Sequence, residues 1–498
     1  MAAYTGRMQQ HEIYERARLS RDARFDGRFF VGVKTTGIYC RPICPAVAPK
    51  TENVTFYPSA AAASEAGYRP CLRCRPECAP GTPAWNGTST TVQRGLRLIS
   101  NGALDDGSIE QLADRLGVTS RHLRRLFTTH LGASPLAVAH TQRLHFAKRL
   151  IDQTSLPMAH IATAAGYGSV RRFNDAFRQT YGRTPRELRR TSDDAFDSNT
   201  ALAVRLSCSK PFDWQAMLGF FAARATPGVE QVIDDTYLRT VTTSGQPGVI
   251  ECRYDVERDN VSLLLHGIGT TQIFHAVQRS REMLDLDAPL TEIQSVLAAD
   301  KKLKGIARRF PGIRVPGAWD GFELTVRAIL GQQVSVKAAT TLSGRIAARY
   351  GEKLVLPASL VSRADTLDLG YLFPTPEKLA RARLNDMGLV TSRAETIRRV
   401  ARAVVNGEIS FDNAQEPREF CQRLITIRGI GEWTAEYVAM RALKYPDAFP
   451  ASDLGLIKAM SGAKVISPTQ LKHRAESWRP WRSYAALLLW NSLPGSGG

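Results

Sequence analysis

Acidic residues are in short supply in this chain. Its 498 residues carry 47 Asp plus Glu against 66 Lys plus Arg, a formal net charge of +19. A surface of that sign attracts polyanions, nucleic acid first and anionic membrane second. Long apolar runs are also missing, since none reaches the roughly 20 residues that a spanning helix requires. The opening stretch MAAYTGRMQQHEIYERARLS has no apolar core of the kind a signal peptide needs. The expected compartment is therefore the cytoplasm, with no membrane partner. Cysteine is sparse, eight in all, and thiols in a reducing compartment do not form a disulfide framework. A chain of 498 residues is also too long for one hydrophobic core, which predicts three or four domains.

What cysteine there is lies close together. Five of the eight fall between 40 and 78, while Cys208, Cys252 and Cys421 are scattered and read as small buried hydrophobes. Cys40, Cys44, Cys71 and Cys74 form the pattern C-x3-C-x26-C-x2-C, two short-spaced pairs that each supply two corners of a tetrahedron. One zinc ion on four thiolates is the expected occupant. Cys78, four residues past Cys74, is a spare ligand of lower rank.

Two polar stretches, APGTPAWNGTST (79–90) and TSDDAFDSNT (191–200), read as linkers. Between them SIEQLADRLGVTSRHLRRLF predicts helix, glycine turn, helix, with Ser120 as cap of the second helix. MAHIATAAGYGSVRRFNDAFRQTYG repeats the pattern, and the helical stretch PLAVAHTQRLHFAKRLI joins the two units. The second helix of each unit places charge opposite its apolar face: Arg121, His122, Arg124 and Arg125 in one, Arg171, Arg172 and Asn174 in the other. Such side chains suit base edges and phosphates in a major groove. A solvated basic face explains any one arginine equally well, but two copies in register favour double-stranded DNA.

Residues 25–77, from FDGRFFVGVKTTGIYCRPICPA to ENVTFYPSAAAASEAGYRPCLRCRPE, closely resemble the zinc domain of the Ada adaptive-response proteins, and 90–190 resemble their AraC-type DNA-binding domain. In that family the first cysteine of the C-x3-C pair takes a methyl group from a DNA phosphotriester, which implies that role for Cys40. The chemistry is reasonable, because four thiolates on one zinc carry a net −2 and keep sulfur deprotonated without a base. A methylated Cys40 brings the centre to −1 and lowers its repulsion from phosphates, which would tighten promoter binding by the neighbouring helices. No PCHR-like segment of the family's guanine-repair domain is present.

The segment 201–288 holds strand-like runs such as GVIECRYDV and VSLLLHG, and 289–498 reads as helical. In LITIRGIGEWTAEYVAMRAL a helix ends at a Gly-Ile-Gly turn, Gly429 to Gly431, and a new helix opens whose free amides would bind a phosphate. About twenty residues on, DAFPASDLGLIKAM places a lone carboxylate, Asp453. Together with DWQAMLGFFAARA, FELTVRAILGQQVSV and SWRPWRSYAALLLW, these stretches resemble an AlkA-type alkyl-base DNA glycosylase of the helix-hairpin-helix superfamily. That resemblance implies Asp453 as the catalytic carboxylate, Phe220, Trp433, Tyr437 and Trp490 as pocket aromatics, and a monovalent cation at the hairpin. Taken singly, each aromatic is better explained by core packing and Asp453 by a helix cap.

One carboxylate suffices for this substrate class: an alkylated purine is already cationic and leaves without protonation, so only the sugar cation needs a negative neighbour. Lyase relatives carry lysine where this chain has Trp433, which excludes a Schiff base there. With no cysteine after Cys421, the iron–sulfur loop of other relatives is missing too. The chain departs from the family pattern at Gln333, where a leucine wedge usually enters the duplex, at Asn491, where an aromatic is usual, and at Arg428, which replaces the hairpin proline.

The expected fold is multidomain and mainly α: a zinc domain (1–80), a tandem helix-turn-helix domain (88–190), a small mixed α/β domain (201–288) and an all-α helix-hairpin-helix domain (289–498). The expected partners are alkylated and promoter DNA and RNA polymerase, with the chain a monomer. The competing reading is a DNA-binding regulator whose second half recognises damage without cleaving it.

Overall fold

The computed structural model describes residues 2–79, 90–105, 107–189, 201–411, 416–461 and 465–493. Nearly all of the two linker stretches lies outside these residues. After helix α1 (Ala2–Leu19), strands β1 (Phe30–Val33), β2 (Ile38–Cys40), β3 (Val54–Tyr57) and β4 (Arg69–Pro70) form a sheet in the order β3-β1-β2-β4, with helix α2 (Ala60–Glu65) packed on it. β1 pairs antiparallel with β2 and β3, while β2 and β4 run parallel, Tyr39 opposite Pro70. Cys71 N donates to Tyr39 O at 3.0 Å. A parallel pair brings matching ends together, so Cys40 and Cys71, which follow these partners, arrive side by side.

The next domain holds α3 (Thr90–Ser100), α4 (Ile109–Arg115), α5 (Ser120–Leu131), α6 (Pro135–Gln153), α7 (Met158–Ala164), α8 (Val170–Tyr181) and α9 (Pro185–Leu188). The two expected helix-turn-helix units are α4–α5 and α7–α8, joined by α6. Each turns on a glycine at left-handed φ, Gly117 at +70° and Gly166 at +74°. The apolar positions read from the pattern are the buried ones: Ile109, Leu112 and Leu123 in the first unit, Ile161, Phe173 and Phe177 in the second. The cap of α5 is a correction, since Thr119 and not Ser120 accepts the His122 amide, at 3.3 Å. Ser120 is already the first helical residue. Ser169, the counterpart of Thr119, caps α8.

A five-stranded antiparallel sheet follows, in the order β5-β9-β8-β7-β6: β5 (Leu202–Leu206), β6 (Glu230–Ile233), β7 (Thr236–Thr243), β8 (Gln246–Asp255) and β9 (Asn260–His266). Helix α10 (Trp214–Arg224) lies between β5 and β6, and α11 (Ile273–Met283) follows β9. The rest is helical: α12 (Leu290–Leu297), α13 (Lys301–Arg309), α14 (Gly321–Leu330), α15 (Val336–Tyr350), α16 (Pro376–Ala380), α17 (Thr391–Val405), α18 (Pro417–Ile425), α19 (Glu432–Arg441), α20 (Leu454–Met460), α21 (Pro468–Arg474) and α22 (Arg482–Asn491). At the centre of this part α14 is buried at every position but Arg327.

The hydrophobic cores do not follow the chain segments. The first helix-turn-helix unit has its own core, but the second shares one with the sheet, running from Leu144 through Phe177 and Leu263 to Trp319. Phe146 of α6 meets Phe274 of α11 edge-on, with ring centres 4.7 Å apart. The zinc domain docks on α6 through Arg75–Asp152 and Glu77–Lys148 ion pairs and a 2.9 Å hydrogen bond between Tyr39 Oη and His145 Nε2. Burial, aided by the Arg149 guanidinium, pushes His145 down to about 3, so its ring is neutral at that junction.

Arg97 of α3 reaches across to the helical part. Its guanidinium donates to Leu443 O at 2.6 Å and Lys444 O at 2.9 Å, the carbonyls just past the end of α19. A cation at a helix C-terminus is favourable through both hydrogen bonds and the helix dipole. Arg97→Met keeps the stem and removes the donors. It is expected to raise amide hydrogen exchange across 441–446 while leaving β7 and β8 unchanged, and equal exchange in both proteins would show the contact to be dispensable.

Candidate functional site

A cavity of about 340 Å³ opens where α10, α14, α15, α19 and α22 converge. It is lined by Phe220, Trp433, Tyr437, Trp490 and Asp453. Asp453 is both the helix cap and the pocket acid that the sequence left as alternatives. As N-cap of α20 its Oδ1 accepts the Leu456 amide at 2.9 Å, and the same oxygen accepts Trp490 Nε1 at 2.8 Å. Oδ2 accepts Trp433 Nε1 at 2.8 Å. Three donors from three helices therefore fix the carboxylate plane. Gly455 makes room for this: a Cβ there would lie 2.9 Å from Asp453 Oδ1 and 3.2 Å from Trp490 Cδ1.

Trp433 and Tyr437, one turn apart on α19, stack with ring centres 5.2 Å apart and planes 7° apart, and Trp490 stands edge-on to Tyr437 at 6.5 Å. Three arginines that sequence reasoning passed over also line the cavity: Arg224, Arg327 and Arg441. Arg224 and Arg441 lie over the Phe220 ring at 4.0 and 4.7 Å, so guanidinium groups already take up that ring's π attraction. Arg441 Nη1 donates to Tyr437 Oη at 2.6 Å. Burial raises the Tyr437 phenol, but the Arg441 and Arg224 charges outweigh it and hold the group below its ordinary value. Arg327 is itself neutralised, donating to Glu230 at 2.8 Å and Glu323 at 2.9 Å. Burial opposes ionisation of Glu230, yet Arg327 and Arg239 hold it at about 2. All three arginines sit inside quoted motifs, DWQAMLGFFAARA, FELTVRAILGQQVSV and EWTAEYVAMRAL, where only aromatic and turn residues were read as signal. Among the described lining residues Asp453 is the one carboxylate.

Gln333 does not line the cavity. It is exposed on the turn between α14 and α15 with φ at +57°, a left-handed conformation that glutamine rarely adopts. Its neighbour Gln332 ties that turn to the hairpin, donating to Gly429 O at 3.2 Å and Thr434 Oγ1 at 3.1 Å. Gly429 itself is left-handed at +101°. No side chain caps Gly431 at the start of α19, so the first amides of that helix stay open to an anion. On the second helix of each helix-turn-helix unit, Arg121, Arg124, Arg125, Arg171 and Arg172 are exposed, with His122 and Asn174 half-buried beside them.

In the zinc domain the ligand atoms of Cys40, Cys44, Cys71 and Cys74 all lie within 4.8 Å of one another. Zinc–sulfur bonds of about 2.3 Å demand sulfur separations of about 3.8 Å, so the donor set and spacing fit a closed tetrahedral zinc site. Arg41 N donates to Cys74 Sγ at 3.3 Å, and the Arg41 side chain holds Asp26 and Cys74 O. Such amide donors orient ligating sulfur. Cys78 is not part of the cluster; burial raises its thiol. Cys40, Cys44 and Cys71 line a cavity of about 570 Å³ together with Arg18, Arg21, Arg69, Arg73 and Arg183; Cys40 and Cys44 are half-buried, Cys71 and Cys74 buried.

Four family models match the chain in series: the metal-binding domain of Ada (14–77), a helix-turn-helix domain (112–191), the AlkA N-terminal domain (203–320) and the HhH-GPD superfamily of base excision DNA repair proteins (326–483). These define a regulator joined to a base-excision fold. A "probable bifunctional transcriptional activator/DNA repair enzyme AlkA" of Mycobacterium tuberculosis is 40% identical over 493 residues, 97% of either chain. The chain belongs to that family of bifunctional AlkA/Ada-type proteins. DNA-3-methyladenine glycosylase 2 of Escherichia coli is 34% identical over 57% of this chain and 95% of its own length. The 3-methyladenine DNA glycosylase of Archaeoglobus fulgidus shares the fold, with a TM-score of 0.50 at 23% identity, over 57% of this chain and 96% of that one. The zinc domain is thus a one-zinc, four-cysteine centre.

Metal analysis gives the check. The purified chain is expected to hold one zinc, Cys78→Ser to keep it, and Cys71→Ser to lose tight binding. Zinc loss from the Cys78 variant would mean that the ligand set is wrong.

Proposed function

We propose that the chain excises alkylated purines such as 3-methyladenine from DNA, and that its zinc domain takes methyl groups from DNA phosphotriesters onto Cys40. The observation that carries the first activity is the carboxylate of Asp453, held by two indole N–H groups inside an aromatic pocket beside the hairpin. The open amides of α19 grip a phosphate next to the lesion, and the exposed Gln333 fills the gap left in the stack when the nucleotide swings out. The C1′–N bond then breaks. Its electron pair neutralises the cationic base, positive charge develops on the sugar beside Asp453, and water adds at C1′ with loss of a proton. The stacked Trp433 and Tyr437 favour an electron-poor base. The monofunctional reading follows from Trp433 in the place of a lysine. A monovalent cation at the hairpin carbonyls would strengthen the same phosphate grip.

In the second activity the sulfur of Cys40 forms a bond to the methyl carbon as the carbon–oxygen bond breaks, leaving a thioether and a phosphodiester anion. When bound, zinc keeps the sulfur ionised at neutral pH. The arginines around the cavity supply counter-charge for neighbouring phosphates, and half-exposure distinguishes Cys40 and Cys44 from their buried partners. Loss of one negative charge then favours promoter binding by α5 and α8, in a division of labour along 1–80, 88–190, 201–288 and 289–498. The transcriptional role in the mycobacterial relative's name, carried to this chain, makes RNA polymerase its partner. The chain would act as a monomer on the nucleoid in the bacterial cytoplasm.

Asp453→Asn is expected to slow single-turnover base release roughly a hundredfold or more, since stabilising charge in a desolvated pocket contributes several kcal/mol. The swap keeps a good helix cap but turns an amide donor toward Trp433 Nε1. Trp433→Phe removes that same hydrogen bond while keeping the charge, and is expected to cost much less. Release at the parental rate by the Asn variant would reduce Asp453 to a structural cap.

Methyl phosphotriester DNA is expected to add one methyl to Cys40, read by peptide mass. Methyl on Cys44, or none on zinc-loaded protein, would reject the second activity.

A further inference from the structure

The densest concentration of one charge sign outside both sites is α13. Its nine residues, KKLKGIARR, bury Leu303 and Ala307 and expose Lys301, Lys302, Lys304, Arg308 and Arg309. Among the described residues none of the five forms an ion pair with a carboxylate. A helix that turns its apolar face inward and leaves five unneutralised cations outside costs self-repulsion. Solvent and salt screen part of that cost, and an anionic partner relieves more of it.

Contacts through α21 connect this helix to the hairpin. Asp300, the N-cap of α13, accepts Arg474 Nη2 at 3.0 and 3.2 Å and Trp478 Nε1 at 3.1 Å. Two residues earlier, Lys472 Nζ lies 2.6 Å from Oε1 of Glu432, the first residue of α19. Lys472, His473 and Arg474 are exposed, as is Arg428 in the hairpin turn. Basic side chains therefore run from the hairpin across α21 to α13. With its buried apolar face α13 has nothing to insert into a lipid surface, while its length of about 14 Å is on the scale of about two to three phosphates along one DNA strand.

We propose that α21 and α13 form a second phosphate track that grips the duplex flanking the lesion, with the DNA backbone as its ligand. The proposal rests on the glycosylase reading for the lesion that anchors the DNA. The test compares the full-length chain with a Lys301→Gln/Lys302→Gln/Lys304→Gln variant on a duplex of about 30 base pairs carrying a cationic pyrrolidine analogue of the abasic sugar. The helix-turn-helix contribution is common to both proteins. The variant's plot of log affinity against log salt is expected to be shallower by about 2, because each phosphate contact contributes about 0.9. Backbone protection should retreat on one side of the analogue, with single-turnover release at saturating protein unchanged. An unchanged slope and footprint would overturn the track and leave the ridge to an acidic protein surface. Failure of the parent chain to release any base would instead remove the glycosylase reading, and the salt slope is measured independently of it.

Discussion

A strongly cationic molecule holds one negative charge where its pocket opens, and the helical half is arranged around that carboxylate. Asp453 is held by a backbone amide of its own helix and by indoles from α19 and α22. α19 also supplies the stacked Trp433 and Tyr437 rings and α22 the edge-on Trp490, and α19 begins at the hairpin turn. Trp433, the second residue of α19, thus ties the start of that helix, next to the hairpin turn, to the placement of the carboxylate. Gly455 is part of this constraint, since any side chain there would push on both the carboxylate and Trp490.

The pocket's arginines set the terms of selectivity. With guanidinium groups over Phe220 and against Tyr437, part of the aromatic surface already serves as counterpart to protein cations. Arg327 is offset by Glu230 and Glu323, which leaves Asp453 as the carboxylate lining the cavity and, on the proposed function, the group whose field distinguishes a sugar cation from a neutral sugar. On the proposed function, discrimination for alkylated bases rests on the Trp433 and Tyr437 stack and on the weakness of the bond being broken, more than on attraction of a cationic base to the pocket as a whole.

Local features were legible in the chain, and relations between distant segments were not. Paired cysteines announced the zinc site because C-x3-C and C-x2-C are geometric statements, and the helix-turn-helix units showed through 3.6-residue periodicity and their glycines. The hairpin and Asp453 were found through motif resemblance, whereas the residue taken singly read as a helix cap; the structure shows that cap, with the carboxylate also lining the cavity. The cap of α5 slipped by one residue because Thr119 and Ser120 are adjacent and equally suited. The pocket arginines stayed hidden because an arginine in a basic chain carries no local mark of burial. The core that fuses the second helix-turn-helix unit to the sheet, and the reach of Arg97 to the end of α19, depend on packing between segments far apart in sequence. Composition on either side of a linker does not encode such packing.

The central claim is that Asp453 acts by its charge on a developing sugar cation. Comparing equilibrium affinities for duplexes carrying a cationic pyrrolidine and a neutral tetrahydrofuran in place of the damaged sugar tests it most directly, because the two probes differ chiefly in that charge. The account predicts that the chain prefers the cationic probe by about tenfold or more and that the preference collapses in Asp453→Asn. Equal affinities in the parent chain, or a preference that survives the substitution, would contradict it.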